Sequence, residues 1–369
     1  MTRKYVLAIN PGSTSTKLSI FEEEIEIKSN KVEHDRIELE VFSHVIDQYQ
    51  YRLELILKWL MDEGINLNEL IAVVGRGGLL RSIPGGTYTV TDFMIEDLTN
   101  CINGEHASNL GGLLARGIAD MVQIPSYIVD PVSVDEFKDV SRISGLKEIS
   151  RISLVHTLNI KAVINRRAKE INKNVEDLNF IVAHLGGGIS ISPIEKGKII
   201  DVNNANHGGP FSPERAGTLP CGDLVKLCYS GKYTYQEMKS MIQHKGGLYS
   251  YLGTSDAREV YNRILQGDKY AELIYDAMAY QIGKEIACSA PPLKGKVDNI
   301  IITGGLGYAA YLLGKIEEMV KFIAPIIIYP GENEMEALNL GVLRVIHNKE
   351  KYKIYDEEVD TWQKILVNC

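Results

Sequence analysis

The stretch that most constrains the fold of this chain is VLAINPGSTSTKLSIF, residues 6–21. Apolar residues at 6–9 and 18–21 predict two strands, joined by a polar turn rich in hydroxyl side chains. Gly12 lets the backbone of this turn bend and approach a ligand closely. Hydroxyl and N–H groups can donate to phosphate oxygens, and a lysine adds positive charge, so the turn is a candidate phosphate site. A solvent-facing hairpin that binds nothing is the alternative.

The composition is that of an ordinary globular protein. The chain has 369 residues, enough for two domains, of which 45% are hydrophobic and 24% charged. A net charge of −8 without a basic tract argues against nucleic acid as a partner. No apolar run approaches the ~20 residues of a membrane span, and no separate apolar signal segment opens the chain. Five scattered cysteines form no CxxC pair, so free thiols in a reducing cytoplasm are expected.

The first half continues with alternating helix and strand patterns. Helical spacing of apolar residues predicts a helix over 45–61, and a short buried strand follows at 72–74. That strand leads into GRGGLLRSIPGG, residues 75–86, a glycine-rich loop typical of a ligand-facing segment. Another strand, 126–129, ends at Asp130. An aspartate at the carboxyl end of a buried strand often faces a cleft, although a turn or helix cap is an equal alternative.

A second glycine hairpin heads the second half. Strands at 180–185, 189–194 and 198–202 surround the glycine turn 186–188, which repeats the organisation of the first hairpin. A later strand, 299–303, ends in GGLG before a helix that starts near 309. In this layout the phosphates and sugar of a nucleotide approach the backbone. The spacing is not GxGxxG, so a Rossmann dinucleotide site is not supported.

Together these features resemble the acetate and butyrate kinase family, within the superfamily that also holds actin, Hsp70-type ATPases and sugar kinases. The resemblance runs from Tyr5 to about Ile346. It implies an α/β fold with two actin-like, ribonuclease H-like domains, each a mixed β-sheet flanked by helices, and a cleft between them. The implied domains are 1–152, completed by C-terminal helices about 340–369, and a nucleotide-binding domain at 153–339.

The resemblance also implies the roles of individual residues. The implied nucleotide-binding residues come from NPGSTSTK, HLGGG, TSDAR and GGLG: Ser13, Ser15, Lys17, His184, Gly186, Gly187, Gly188, Asp256, Arg258, Gly304 and Gly305. The implied substrate, catalytic and metal residues are Arg76 for the carboxylate, Asp130 and His156 for catalysis, and Asn10 and Glu334 for Mg²⁺. Glu336 is a close rival of Glu334 for the metal.

Three departures from the acetate kinase pattern matter. Gly187 stands where acetate kinases carry asparagine, and GTLPCGD, residues 217–223, replaces their GTRSGD segment. The arginine of that segment stabilises the transferring phosphoryl group, and Leu219 or Pro220 occupies its position here. Arg215 is the nearest candidate substitute and is therefore included among the catalytic residues. These differences, with the shorter chain, favour the butyrate branch of the family.

The implied activity is phosphorylation of a short-chain fatty acid by ATP with Mg²⁺. Butanoate and ATP give butanoyl phosphate and ADP, and the reaction is reversible, so it can also run toward ATP synthesis. The alternatives are an acetate, propionate or branched-chain acyl kinase, a sugar kinase with Asp130 as base, and an Hsp70-like ATPase switch. No further peptide-binding domain follows Ile346, which argues against the switch. The expected partners are ATP or ADP, a small carboxylic acid and further copies of the chain, with no nucleic acid or membrane.

Overall fold

The computed structural model describes residues 4–359, which separate into two units. The first unit holds residues 4–135, 157–159 and 333–359, and the second holds 136–156 and 160–332. The first unit is therefore discontinuous and includes the last described segment of the chain. Residues 360–369, which belong to the predicted C-terminal helices, lie outside the described residues. The predicted domain bounds stay a prediction, because these units are defined by contacts and not by independent folding.

Strands and helices alternate along both units. The strands of the described chain are β1 Tyr5–Pro11, β2 Ser15–Glu22, β3 Ile25–Glu33, β4 Leu70–Arg76, β5 Thr87–Thr89, β6 Ser126–Val129, β7 Asn179–Leu185, β8 Ile189–Glu195, β9 Lys198–Ile199, β10 Asn299–Gly304, β11 Ile326–Pro330 and β12 Lys353–Ile354. The α-helices are α1 Arg36–Leu39, α2 Tyr49–Asp62, α3 Asp92–Thr99, α4 Asn109–Met121, α5 Asp139–Arg142, α6 Thr157–Glu170, α7 Cys221–Cys228, α8 Tyr235–Gln243, α9 Gly247–Leu252, α10 Ala257–Leu265, α11 Lys269–Cys288, α12 Ala310–Val320 and α13 Glu334–Ile346. Short 3₁₀ turns occupy Val45–Gln48, Leu67–Glu69, Val175–Asp177, Pro291–Leu293 and Gly305–Tyr308. Within residues 4–359, no helix combines the length and apolar character that crossing a bilayer requires.

The first unit is built on a seven-stranded mixed sheet in the order β12-β5-β6-β4-β1-β2-β3. β1 pairs antiparallel with β2, which places Asn10 opposite Lys17, and β2 pairs antiparallel with β3. β1, β4 and β6 run parallel to one another. Helices α2 and α4 cover this sheet with a core that includes Leu7, Ile56 and Leu114.

The second unit has a five-stranded sheet in the order β11-β10-β7-β8-β9. Its three leading strands are antiparallel neighbours, and β7, β10 and β11 are parallel. The order β9-β8-β7-β10-β11 therefore has the same pairing pattern as β3-β2-β1-β4-β6 of the first unit. Two mixed sheets flanked by helices confirm the predicted fold class, and the repeated organisation predicted from the two hairpins is present in both sheets.

One predicted strand is shorter than expected. The sequence predicted a strand over 198–202, but β9 ends at Ile199. The Ile200 N–H still donates to the Pro193 carbonyl in β8, at 3.2 Å. Because proline has no N–H, Pro193 cannot donate the second hydrogen bond of this pair, and the antiparallel ladder stops there.

Helix α4 approaches β4 so closely that only glycine fits at the contact. A Cβ atom on Gly75 would lie 2.0 Å from the Gly111 carbonyl oxygen, and one on Gly111 would lie 2.2 Å from the Arg76 carbonyl oxygen. Both distances join backbone atoms, which cannot move aside as the tip of a side chain can. The contact fixes the carboxyl end of β4 and therefore the position of Arg76.

We expect Gly111→Ala to lower the free energy of unfolding by ~1–3 kcal/mol, because its methyl group meets the Arg76 carbonyl. The matched control is Gly314→Ala inside α12, where a Cβ atom meets nothing within 4 Å. Removing that helical glycine should stabilise the protein by up to ~1 kcal/mol. Denaturant unfolding followed by circular dichroism measures both changes. If both substitutions changed the free energy of unfolding in the same direction, the result would contradict the role assigned to the close contact at Gly111.

Candidate active site

Residues from three distant segments meet in the first unit around the carboxylate of Glu334. Its Oε2 accepts a hydrogen bond from Asn10 Nδ2 at 2.6 Å, and its Oε1 lies 2.6 Å from Arg76 Nη1. Lys17 Nζ lies 3.7 Å from Oε2, and Arg76 Nη1 is also 3.4 Å from Asn10 Oδ1. Four residues that the sequence assigned to metal, nucleotide and substrate thus form one cluster, which carries two cations and one anion.

The geometry separates the two candidate metal glutamates. Glu334 is the first residue of α13 and is 8% exposed, whereas Glu336 is exposed and has no hydrogen bond or ion pair to this cluster within the described chain. The Glu334 carboxylate and the Asn10 amide oxygen are hard oxygen donors. Mg²⁺ is commonly held by one or two protein oxygens, with phosphate and water supplying the other ligands. The donor set fits such an ion. Groups of three or more acidic, histidine or cysteine ligands are absent from residues 4–359.

Asp130 occupies a strained backbone position at the end of β6. Its φ of 40° is in the left-handed region, which residues other than glycine adopt rarely, although aspartate does so more often than most. Two bonds to Gly86 hold this conformation: the Asp130 N–H donates to the Gly86 carbonyl at 3.0 Å, and Asp130 Oδ1 accepts from the Gly86 N–H at 2.8 Å. Strand register places Val129 beside Arg76, so Asp130 and Arg76 occupy neighbouring strand ends.

His106, which no sequence motif marked, is within electrostatic range of Arg76. It precedes α4, and its Nδ1 lies 2.8 Å from Ser108 Oγ. Desolvation lowers the pKa of the His106 imidazole, and the positive charge of Arg76 lowers it further. The imidazole is therefore biased toward the neutral form beside the cationic cluster. This electrostatic influence depends on the fold, because 30 positions separate the two residues in the chain.

In the second unit, the predicted catalytic and phosphate histidines stack. The rings of His156 and His184 lie 3.8 Å apart and are nearly parallel, with an interplanar angle of 10°. His184 is 1% exposed, and its Nε2 lies 3.1 Å from Glu332 Oε1. His156 Nδ1 lies 3.1 Å from Ser190 Oγ. Glu332 was not predicted from the sequence, since it is 148 positions from its histidine and forms no motif with it.

Arg215 lies directly against the second glycine hairpin. A Cβ atom on Gly188 would come within 2.4 Å of Arg215 Nη1. The Arg215 N–H donates to Ser212 Oγ at 3.0 Å, and the Ser212 hydroxyl donates to the Gly187 carbonyl. Burial lowers the pKa of Arg215, which Glu214 partly opposes, but a guanidinium stays charged at neutral pH. The predicted arginine and the predicted hairpin are thus neighbours.

A cavity of about 870 Å³ in the second unit brings together five of the predicted nucleotide residues. The residues that line it include Gly186, Gly187, Asp256, Arg258 and Gly305, with Tyr261, Tyr275, Tyr308 and Tyr311. Its volume is within the range of small-molecule sites, and its walls combine aromatic rings with a few polar groups. His184, Gly188 and Gly304 do not line the cavity.

Two predicted nucleotide residues, Asp256 in the wall of this cavity and Gly304 outside it, also have structural roles. Asp256 is the N-cap of α10, and its carboxylate accepts from the Arg258 N–H at 2.9 Å and from the Arg258 guanidinium at 2.7 Å. These bonds lower the pKa of Asp256 to about 2. Gly304 has a φ of 89°, and a Cβ atom there would lie 2.4 Å from the Leu185 carbonyl oxygen. The glycine allows β10 to end beside the second hairpin.

We expect Gly188→Ala to reduce kcat at least ~10-fold, because its methyl group would displace the Arg215 guanidinium. The matched control is Gly314→Ala in α12 of the same unit, where a Cβ atom would meet nothing within 4 Å and which lies outside the proposed site. Steady-state turnover and melting temperature should be measured for both variants. Equal losses of kcat in the two variants would show that Arg215 does not depend on the space at Gly188.

Comparison with known proteins places these features in a family. The Acetokinase family model matches residues 146–351. "Probable butyrate kinase 2" of Caldanaerobacter subterraneus subsp. tengcongensis is 56% identical to this chain, over 95% of this chain and 99% of that protein. "Butyrate kinase 2" of Clostridium acetobutylicum is 52% identical, with the same coverage. The crystal structure of Porphyromonas gingivalis acetate kinase shares the fold, with a TM-score of 0.76 at 19% identity, over 93% of this chain and 100% of that one.

Proposed function

The chain belongs to the Acetokinase family, and from this premise we propose that it transfers the γ-phosphoryl group of ATP to the carboxylate of a short-chain fatty acid. The observation that carries the proposal is the cluster in which Arg76, Lys17 and Asn10 surround one carboxylate at neighbouring strand ends. Butyrate is the favoured substrate, because two relatives more than half identical over 95% of this chain are named butyrate kinases. In the reaction butanoate and ATP give butanoyl phosphate and ADP, reversibly.

The chemistry requires positioning and charge rather than proton transfer. A carboxylic acid has a pKa of ~4–5, so its nucleophilic oxygen is already ionised at neutral pH. That oxygen forms a bond to the γ-phosphorus while the bond from phosphorus to the bridging oxygen of ADP breaks. Two anions must meet, and cationic groups held in fixed positions lower the barrier.

Arg76 is the proposed carboxylate receptor. A guanidinium binds a carboxylate through two parallel hydrogen bonds, and the contact with Glu334 supports this role because Glu334 presents the same chemical group. The substrate carboxylate would exchange with Glu334 at the Arg76 guanidinium. Asn10 and Glu334 would hold Mg²⁺, which when bound supplies positive charge to phosphate oxygens. Asp130, held by Gly86, would orient groups at the site rather than accept a proton.

The remaining roles belong to the second unit. Arg215 and His156 would stabilise the phosphoryl group in transfer, with Arg215 in place of the arginine that acetate kinases carry in GTRSGD. Gly186, Gly187, Asp256, Arg258 and Gly305 would bind the adenosine of ATP in the cavity that they line. His184, Gly188 and Gly304 would shape the hairpin and strand end beside it, while Ser13 and Ser15 of the first hairpin would donate to phosphate oxygens.

Assembly and location complete the proposal. The family supports a homo-oligomer. Four cysteines, Cys101, Cys221, Cys228 and Cys288, are free thiols in the structure, which suits the reducing cytoplasm. Cys369 lies outside the described residues.

The test is trapping of the acyl phosphate with hydroxylamine across acids of two to six carbons, with hexoses and peptides as controls. Formation of butanoyl hydroxamate with the highest kcat/KM among these acids is the expected result. A preference for acetate, propionate or a branched acid would assign the alternative acyl kinase activities. ATP hydrolysis without any acyl phosphate would refute the proposal.

Arg76→Lys should raise KM for butyrate by about tenfold, equivalent to ~1.4 kcal/mol, with KM for ATP almost unchanged. An ammonium offers a point charge and cannot match the paired hydrogen bonds of a guanidinium. The matched control is Arg81→Lys in the same loop, because Arg81 is bound to Asp97 through Nε at 2.8 Å and Nη2 at 3.0 Å. A rise in KM for butyrate in the control alone would move the carboxylate site to Arg81.

Glu334→Gln should raise the Mg²⁺ concentration needed for half-maximal activity about tenfold, because a neutral amide is a weaker ligand than a carboxylate. Glu336→Gln, two residues away and exposed, serves as the control and should leave the requirement unchanged. Binding of Mn²⁺ followed by electron paramagnetic resonance in the presence of ATP checks the same point without turnover. If Glu336→Gln raised the Mg²⁺ requirement and Glu334→Gln did not, the metal site would be assigned to Glu336.

A further inference from the structure

A buried arginine lies beneath the first hairpin. Arg52, on α2, is only 1% exposed, and its guanidinium contacts the turn that joins β1 to β2. Nη1 donates to the Gly12 carbonyl at 2.9 Å, to the Ser15 carbonyl at 3.3 Å and to Thr16 Oγ1 at 3.0 Å. Nη2 lies 3.5 Å from the Ser13 carbonyl. One side chain thus holds most of the backbone carbonyls of the turn from inside the unit.

This guanidinium has no carboxylate partner among residues 4–359. Its remaining donors bind a neutral group: Nε and Nη2 donate to Gln48 Oε1, at 3.1 and 2.8 Å. Burial lowers the pKa of Arg52 to about 10, so the group stays charged at neutral pH. A buried charge without a counter-ion is costly, and proteins normally pair it. Arg52 is therefore a buried positive charge whose hydrogen-bond partners are all neutral.

The turn itself presents a surface for an anion. The carbonyls of Gly12, Ser13 and Ser15 point to Arg52, and the Thr14 carbonyl accepts from the His34 N–H at 2.9 Å. The N–H groups of Ser13 and Thr14 have no acceptor among the described residues, and both residues are exposed. With its carbonyls held inside, the turn offers N–H groups to solvent, an arrangement that binds phosphate in other proteins.

We propose that Arg52 is a positioning residue of the phosphate site, and that a phosphate group of the nucleotide is its missing counter-anion. Arg52 orients the turn through three carbonyls and adds positive potential from behind it, without touching the ligand. The inference rests on the proposed function in one respect, which is that the first hairpin binds nucleotide phosphate. A purely structural clamp would require the hydrogen bonds of Arg52 but not its charge.

Gln48→Glu separates charge from structure. Glutamate has the shape of glutamine and keeps an acceptor oxygen for Arg52, but it supplies the missing carboxylate inside the protein. The melting temperature without ligand should stay the same or rise. The Kd of Mg²⁺–ATP should increase about tenfold in calorimetric titration, ~1.4 kcal/mol. The Kd of adenosine, which has no phosphate, should not change.

Substitutions of Arg52 provide a second comparison. Arg52→Lys keeps the charge but has fewer donors for the turn carbonyls, so it should weaken ATP binding by no more than about threefold. Arg52→Gln removes the charge as well and should weaken ATP binding about tenfold, while adenosine affinity stays unchanged. The matched control is Arg116→Gln in the same unit, where the arginine already pairs with Asp92 and Asp120. This control should bind ATP and adenosine as the wild type does.

The outcomes are distinct. A folded Gln48→Glu protein that binds ATP as tightly as the wild type overturns the inference, and so does an equal loss of adenosine and ATP affinity. If Gln48→Glu does not fold, equal weakening of ATP binding by lysine and glutamine at position 52 overturns it. Wild-type protein that forms no acyl phosphate refutes the proposed function instead, while the ATP and adenosine titrations still decide the role of Arg52.

Discussion

The first unit depends on one carboxylate that holds two cations. Glu334, at the start of α13, contacts Arg76 from the end of β4 and Asn10 from the end of β1, and it lies within ion-pair distance of Lys17. The cluster has one positive charge more than it has negative charge, in a chain whose formal net charge is −8. The local excess of positive charge, rather than the overall charge of the chain, therefore attracts anions to this cluster. The attraction is strongest where water is excluded.

The shared strand order explains why these groups meet. In the first unit the parallel strands β1, β4 and β6 end at the first hairpin, at Arg76 and just before Asp130. In the second unit β7, β10 and β11 end at the glycine hairpin, at Gly304 and just before Glu332. Carboxyl ends of parallel strands lie at one edge of a sheet, where ligands of α/β proteins bind. The same pairing pattern thus collects polar loops twice, from segments that are distant in the chain.

Sequence patterns predicted the local structure well because strand burial and helix periodicity are local properties. The span predicted for β6 agrees with the structure, and the two glycine hairpins were recognised from their turns. Contacts between distant segments could not be predicted in this way. Nothing in the pattern of α2 distinguishes Arg52 from a surface arginine, although it lies on the same helical face as Leu53 and Ile56. Glu332 likewise acquires its partner His184 only when the chain folds.

The discontinuity of the first unit has a consequence for protein synthesis. The second unit is nearly continuous in sequence, between residues 136 and 332, whereas the first requires residues 333–359 as well as the N-terminal segment. Translation proceeds from the N-terminus, and domains commonly fold as they leave the ribosome. Asn10 therefore emerges long before the residue that it binds, 324 positions later. A ribosome that stalls or terminates before α13 releases a chain that can contain all of the second unit but never the ion cluster of the first.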